Sequence, residues 1–391
     1  MSKHVRLYNT EYVPKMGGII THMQDVSRVL VSHGYKADIV CDQCAAALDA
    51  RVPVIRIPEF QPLGIRQKIY RPQGKVRHLC ASLPDASGVD MHWPREADYA
   101  RAIMENYGPE KMLYIMATVH PRMFDHAAQW GWKNRLRSLV FRPQMARIEA
   151  DVVAHCQVAV DSQARKDEVI SFYHANPSRV HVVPLGVDVK RFSHVMARKN
   201  DIPTGLTVAR LSPEKGVQSL LEALAQLRGK NWQWIIAGDG WMRPQLETMR
   251  ARLGLENRVR FVGAVDPIPY YAAADMFVLP SHYEGFGLVL LEAMANRLPC
   301  IAFDSKPPEV ITASREIIVH DQTGFVAEAG NSGAMAACID RLIDDARLRS
   351  EMGEQGYQRC VAQFTWERCV EGYLNISGYS LASDAYSGDI R

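Results

Sequence analysis

Nowhere does this chain approach 18 consecutive apolar residues, so hydropathy offers no transmembrane helix. No secretory leader is visible either, because Met1-Ser2-Lys3-His4 runs straight into a short apolar strand, and the expected location is the cytoplasm. Cysteine is scarce. Eight spread over 391 residues suit a reduced compartment better than a disulfide scaffold. Cys41 and Cys44 do form a Cys-x-x-Cys, but no second pair or histidine set stands at zinc spacing, which leaves them as ordinary thiols. No Asp-x-Asp, internal repeat or low-complexity segment occurs. Acid is missing from one long stretch: residues 60–84 hold Arg66, Lys68, Arg71, Lys75 and Arg77 but neither Asp nor Glu. No recognition-helix, zinc-finger or ribonucleoprotein pattern accompanies that charge, so nucleic acid is a poor partner.

What is present is the composition of a soluble globular protein, 47% hydrophobic and 23% charged, in a chain long enough for two domains. The net charge of +3 is unevenly placed. A second basic group, mixed with aromatics, follows at Trp130, Trp132, Lys133, Arg135, Arg137, Phe141 and Arg142. Such a mixture on a helix either lies against an anionic membrane face or forms a solvated face over a few core aromatics. Both readings stand at this point. On the first, Arg66, Arg71, Arg135 and Arg137 form an acceptor or membrane face.

Apolar strands alternate with amphipathic helices throughout, the pattern of parallel sheets covered on both faces. Strands are expected at 5–8, 37–41, 52–57, 113–118, 158–161 and 180–183, with a helix over 18–33. The alternation restarts at 206–209 after a polar stretch, 190–203, where the interdomain linker is placed. Helices at 217–227 and 246–253 and strands at 234–237, 259–262 and 276–279 follow. Two doubly wound halves result, residues 1–189 and 204–363, and the tail after 377 is polar.

One segment carries the chemistry. Ser281-His282-Tyr283-Glu284-Gly285-Phe286-Gly287-Leu288 leads from a buried strand through a glycine-rich bend into an apolar helix, with Glu292 eight positions after Glu284. Unpaired N–H groups at the start of that helix, together with its dipole, favour an anion such as a pyrophosphate. Glu284 can take hexose hydroxyls, and Glu292 ribose hydroxyls. Arg210 and Lys215, after the first strand of the second half, suit a diphosphate, Arg as a planar fork and Lys as a point charge. Gly17 and Gly18 follow the first strand, where missing side chains let a backbone approach phosphate. Gly238-Asp239-Gly240 is not a dinucleotide fingerprint, because Arg243 stands where a third glycine is required.

The stretch from Ser281 resembles the Glu-x7-Glu signature of retaining glycosyltransferases, most closely glycosyltransferase family 4. The resemblance extends to Gly17-Gly18, His120, Pro184-Leu185-Gly186-Val187-Asp188 with Phe192, and Ala209 to Gly216. It continues through Ala237-Gly238-Asp239-Gly240, Phe261-Val262-Gly263, Glu316-Ile317-Ile318 with Thr323-Gly324, and Phe364-Thr365-Trp366-Glu367. It is dense over residues 180–330 and fails over 58–110. It departs from the family at Pro307-Pro308-Glu309, where a glycine-rich bend is usual.

The resemblance implies a GT-B fold: two Rossmann-like α/β domains facing a central cleft, the first binding the acceptor and the second a UDP- or GDP-sugar. It also implies that a closing helix, about 364–378, crosses back onto the first domain. His120, Arg210, Lys215 and Glu284 are then the catalytic set. Gly17, Gly18, Gly238, Val262, Gly263, Gly285, Phe286, Gly287, Leu288 and Glu292 bind the donor, with the Val262 region pairing its base. With no Asp-x-Asp, Arg210, Lys215 and the helix N-termini take the place of a metal, and no cofactor is expected. The implied activity is retaining, metal-independent hexosyl transfer to a saccharide or lipid-linked acceptor in cell-envelope, lipopolysaccharide or extracellular polysaccharide synthesis, by a cytoplasmic protein able to rest peripherally on the membrane. A GT-B epimerase or sugar-phosphate synthase, and a catalytically silent sugar-binding protein, are the rival readings.

Overall fold

A computed structural model of the chain describes residues 3–10, 18–43, 51–61, 71–119, 132–193, 200–227 and 229–381. It divides into two compact units. The first comprises Met1–Pro184 and Trp366–Arg391, the second Leu185–Thr365.

Unit 1 contains seven described parallel strands: β1 His4–Tyr8, β2 Lys36–Cys41, β3 Val54–Arg56, β4 Met91–Pro94, β5 Leu113–Met116, β6 Gln157–Val160 and β7 Val180–Val182. They run β3-β2-β1-β4 and β5-β6-β7, and a single parallel bridge from His92 to Met112 joins the two groups. Of these, β1, β2, β4 and β5 are buried along nearly their whole length, as parallel strands covered on both faces must be. Buried charge on them is paired: Arg6 donates to both Asp38 carboxylate oxygens at 2.8 and 2.9 Å. His92, also buried, meets the Tyr8 hydroxyl at 2.5 Å. The helix Trp366–Ile376 belongs to this unit, where it packs on the helix Gly18–Ser32 through a 3.0 Å contact between His22 Nε2 and Tyr373 Oη.

Unit 2 is one six-stranded parallel sheet built from β8 Thr204–Val208, β9 Gln233–Ala237, β10 Val259–Gly263, β11 Met276–Leu279, β12 Cys300–Phe303 and β13 Gly324–Ala327. Its order is β10-β9-β8-β11-β12-β13. The chain therefore winds outward one way from β8 and the other way from β11. The pair β8–β11 is the point where strand order reverses, and the crevice beyond the carboxyl ends of such a pair is where open α/β sheets take ligands.

The crossing between units falls at Pro184–Leu185, ahead of the polar stretch 190–203 in which the linker was expected. Residues after it dock on unit 2, where Val187 N–H donates to Phe364 O at 3.0 Å. Cys41, expected as a thiol, is disulfide-bonded, and its partner lies outside the described residues.

Candidate active site

Two loops leave the carboxyl ends of the switch-point strands, and the backbone ties them together. After β8 the chain passes Arg210 and makes a tight turn over Pro213–Lys215. After β11 it runs through residues 280–287 into the helix Leu288–Ala295. His282 and Tyr283 both donate their N–H to the Glu214 carbonyl, at 2.8 and 3.2 Å. Gly216 makes this approach possible. Its φ is +64°, and a Cβ there would lie 1.9 Å from the Pro280 carbonyl oxygen. No other residue type fits both constraints.

The docking aligns the side chains. Lys215 Nζ donates to Glu284 Oε2 at 2.7 Å, with both side chains about four-fifths buried. Ser281 Oγ reaches the same oxygen at 3.4 Å. Arg210, whose side chain is 66% exposed, pairs with Glu214 at 3.0 Å. Burial works to raise the Glu214 carboxyl, but the hydrogen bond from Ser212, its own backbone N–H and the charges of Arg210 and Lys215 hold it below the usual carboxylate range. The two cations expected to act jointly on a diphosphate are thus brought to one place, each anchored by its own carboxylate.

The helix Leu288–Ala295 starts beside them. Its N-cap is Gly287, left-handed at φ +98°, and no side chain caps it, which leaves first-turn N–H groups for another acceptor. Phe286 contributes only backbone here: its ring is 3% exposed and packs edge-on against Phe364 at 6.0 Å. An aromatic ring gains more from the core than from the rim of a polar site. Gly285 and Leu288 flank it, half-buried. Glu292 lies further along the helix and accepts from the Tyr271 hydroxyl at 2.8 Å. Burial raises its pKa against the pull of that bond and of Arg191.

Gly238 turns out to serve backbone packing: at φ +136°, its absent Cβ would stand 1.9 Å from the Ala209 carbonyl oxygen. Val262 drops out of register with β9, where pairing shifts between Phe261 and Gly263. Such a bulge leaves a residue outside the ladder and re-aims it. Gly18 opens its helix, exposed. Gly17, His120 and Arg66 lie outside the described residues, as do the side chains of Arg135 and Arg137 in the helix Trp132–His155. Arg71 is exposed.

Lys75 corrects the picture of a continuous basic face. It turns inward and donates to Asp98 at 2.8 Å, Glu96 at 3.2 Å and Thr10 Oγ1 at 2.5 Å. Those three bonds use all the protons of its ammonium. This cluster, with Asp42 beside it, gathers at the carboxyl ends of β1, β2 and β4, and sequence reasoning missed it. Its members come from four separated segments, and no local pattern announces them.

Two family models match the chain. "Glycosyl transferases group 1" covers residues 189–359 and "Glycosyltransferase Family 4" residues 16–191. Alpha-D-kanosaminyltransferase of Streptomyces kanamyceticus is 31% identical over 263 residues, which are 63% of this chain and 62% of that one. This chain therefore spans less than two thirds of that relative. Among solved structures, WaaG, a glycosyltransferase involved in lipopolysaccharide biosynthesis, superposes with a TM-score of 0.73 at 18% identity, covering 96% of this chain and 100% of WaaG. Anabaena HepE in complex with UDP and glucose gives 0.71 at 20% identity, over 95% and 98%. The fold is GT-B.

Proposed function

We propose that this chain, which belongs to glycosyltransferase family 4, moves a hexose with retention from a UDP- or GDP-sugar to a saccharide or lipid-linked acceptor. The observation that carries this reading is the Lys215–Glu284 pair at the strand-order reversal, 2.7 Å across, set beside an uncapped helix N-terminus and the exposed Arg210. The diphosphate gains charge as its bond to the sugar breaks. Lys215, Arg210 and the first-turn N–H groups supply fixed positive ends for that charge without any reorganisation at the moment of reaction. This is the basis on which we assign a metal-independent mechanism.

Glu284 acts as a positioning carboxylate. Engaged by Lys215 and Ser281, it is a weak nucleophile, which favours a front-face displacement over a covalent glycosyl intermediate. In the front-face path the bond from anomeric carbon to phosphate oxygen breaks and the acceptor oxygen attacks the same face. The acceptor's proton passes to the departing phosphate oxygen, and the protein's task is to hold both partners in line. Glu292 is assigned to the ribose and the bulged Val262 backbone to the base.

Unit 1 would hold the acceptor. The fold shared with WaaG and the basic residues of this unit support an acceptor from cell-envelope or extracellular polysaccharide synthesis. Among the described residues no helix is long and apolar enough to cross a membrane, and peripheral contact would rest on Arg71 and Arg77 and on Leu139, which is 72% exposed. Sedimentation with anionic but not neutral vesicles, reversed by salt, tests that contact; no sedimentation at low salt would remove it.

A thermal-shift panel of UDP-, GDP- and ADP-sugars tests the donor. A ligand at 100 times its Kd stabilises by about 2.7 kcal/mol. One nucleotide class should shift the melt, and nucleoside diphosphate should be released only when a hydroxyl acceptor is added. Release without an acceptor would indicate the epimerase class, and no shift with any donor would sink the reading.

A further inference from the structure

Two large apolar side chains of unit 2 stand in solvent at neighbouring strand ends. Trp241 follows β9 and is 54% exposed, and Val265 follows β10 and is 38% exposed. The backbones at these ends are joined, Gly238 N–H donating to Gly263 O at 2.7 Å. Arg243, two residues on at the start of the helix Arg243–Arg252, reaches across. Its Nη1 lies 3.3 Å from where a Gly263 Cβ would be, and Asp239 and Glu247 hold it at 3.3 and 2.9 Å. The β9 loop is thus folded toward the end of β10, where Val262 leaves the ladder. Among the described residues the Trp241 indole makes no ring contact and no hydrogen bond.

The spacing suits a nucleotide. Parallel strands lie about 4.8 Å apart, and β10 is two strands from β8. The β9 and β10 ends that carry Trp241, Val262 and Val265 are therefore about 7–12 Å from the middle of the β8–β11 crevice that Lys215 and the Leu288–Ala295 helix border. That is the reach of a nucleoside diphosphate from its base to its terminal phosphate. An aromatic face stacks on any base, because every base has a π-face.

We propose that Trp241 is the stacking platform for the donor's nucleobase, with Val265 packing against the ring beside the Val262 backbone. This rests on the nucleotide-sugar reading above and adds a residue to it.

The test titrates wild type, Trp241→Ala and Trp241→Phe with UDP, GDP and inorganic pyrophosphate by calorimetry and by tryptophan fluorescence. Trp241→Ala should weaken the nucleoside diphosphate by about tenfold or more and leave pyrophosphate unchanged. Trp241→Phe should retain most of the affinity but lose the part of the fluorescence change that stacking causes. The side chain is exposed, so both variants should melt with wild type. Nucleoside diphosphate binding within twofold of wild type in Trp241→Ala would overturn the proposal, as would an equal loss for pyrophosphate. Wild type that binds neither UDP nor GDP would instead overturn the donor reading itself.

Discussion

Replacing Lys215 by alanine removes the cation that stands closest to Glu284. Two unit charges about 4 Å apart interact by about 4 kcal/mol at the effective dielectric of about 20 that suits protein sites near a surface. About a fifth of the Lys215 side chain remains exposed, so roughly 3 kcal/mol is the share expected to be lost as charge develops on the diphosphate. That corresponds to about 100-fold in kcat, in line with the loss of one oxyanion-type donor elsewhere. The variant also leaves Glu284 facing the diphosphate without its counter-charge. A second change, Glu284→Gln, made on top of Lys215→Ala should therefore recover part of the loss, and the two effects should not add. The assay is acceptor-dependent release of nucleoside diphosphate, with kcat and KM separated and nucleotide affinity measured by calorimetry. Nucleotide affinity should change by less than about threefold, because the interaction matters most in the transition state. A kcat within threefold of wild type would refute the assignment. An equal loss in kcat and in nucleotide affinity would make Lys215 a ground-state binder.

Gly216→Ala should cost unit 2 about 2–5 kcal/mol, since a left-handed alanine is strained by about 1–2 kcal/mol and its Cβ is driven into the Pro280 carbonyl; a melt within 2 °C of wild type would show that the two loops are not held as described. EDTA should leave activity intact if positive side chains do the work of a metal, and full loss restored by Mn²⁺ or Mg²⁺ would end that reading. Burial, opposed by the Lys75 charge, pushes Asp42 up from the usual 3.8 to about 6. Its proton is then held more tightly folded than unfolded, so the cost of ionising it is absent below about pH 4, grows as pH rises through 6, and reaches on the order of 2–3 kcal/mol above. Asp42→Asn should accordingly melt higher than wild type at pH 8 with no gain at pH 4, and a gain independent of pH would refute the assigned cause.

Much of the second unit was legible because its strands are short buried runs bounded by turn residues. The strands at 234–237 and 276–279 emerge with little change, since burial on both faces leaves few polar residues to blur them. The strand Met91–Pro94 was not foreseen. It is four residues long, holds a histidine and ends in proline, a poor strand signature, and the tertiary contacts from the Tyr8 hydroxyl and the stacked Tyr107 ring make His92 a tolerable core residue. The crossing between the compact units lies ahead of the polar stretch for a related reason. Polarity marks residues 190–203 as exposed, yet nothing local shows that Val187 will find Phe364, which lies 177 residues later.

The same division runs through the site. Residue types that must stand at strand ends, such as Lys215, Glu284 and the glycines, can be found by spacing, because a glycine-rich bend between a strand and a helix has few other uses. What spacing does not carry is which carboxylate each cation meets. Arg210 takes Glu214 and Lys215 takes Glu284, and the second pairing exists only because residues 282 and 283 hydrogen-bond back to the Glu214 carbonyl. Lys75 makes the point from the other side. In an acid-free stretch of sequence it looked like one more charge on a solvated face, but its partners Glu96 and Asp98 come from beyond β4 and reach it only once the sheet has formed. A local charge count describes the unfolded chain, and the folded charge pattern is set by the partners that topology delivers. Only basic residues whose exposure the fold leaves in place, such as Arg71, can then form a basic surface patch.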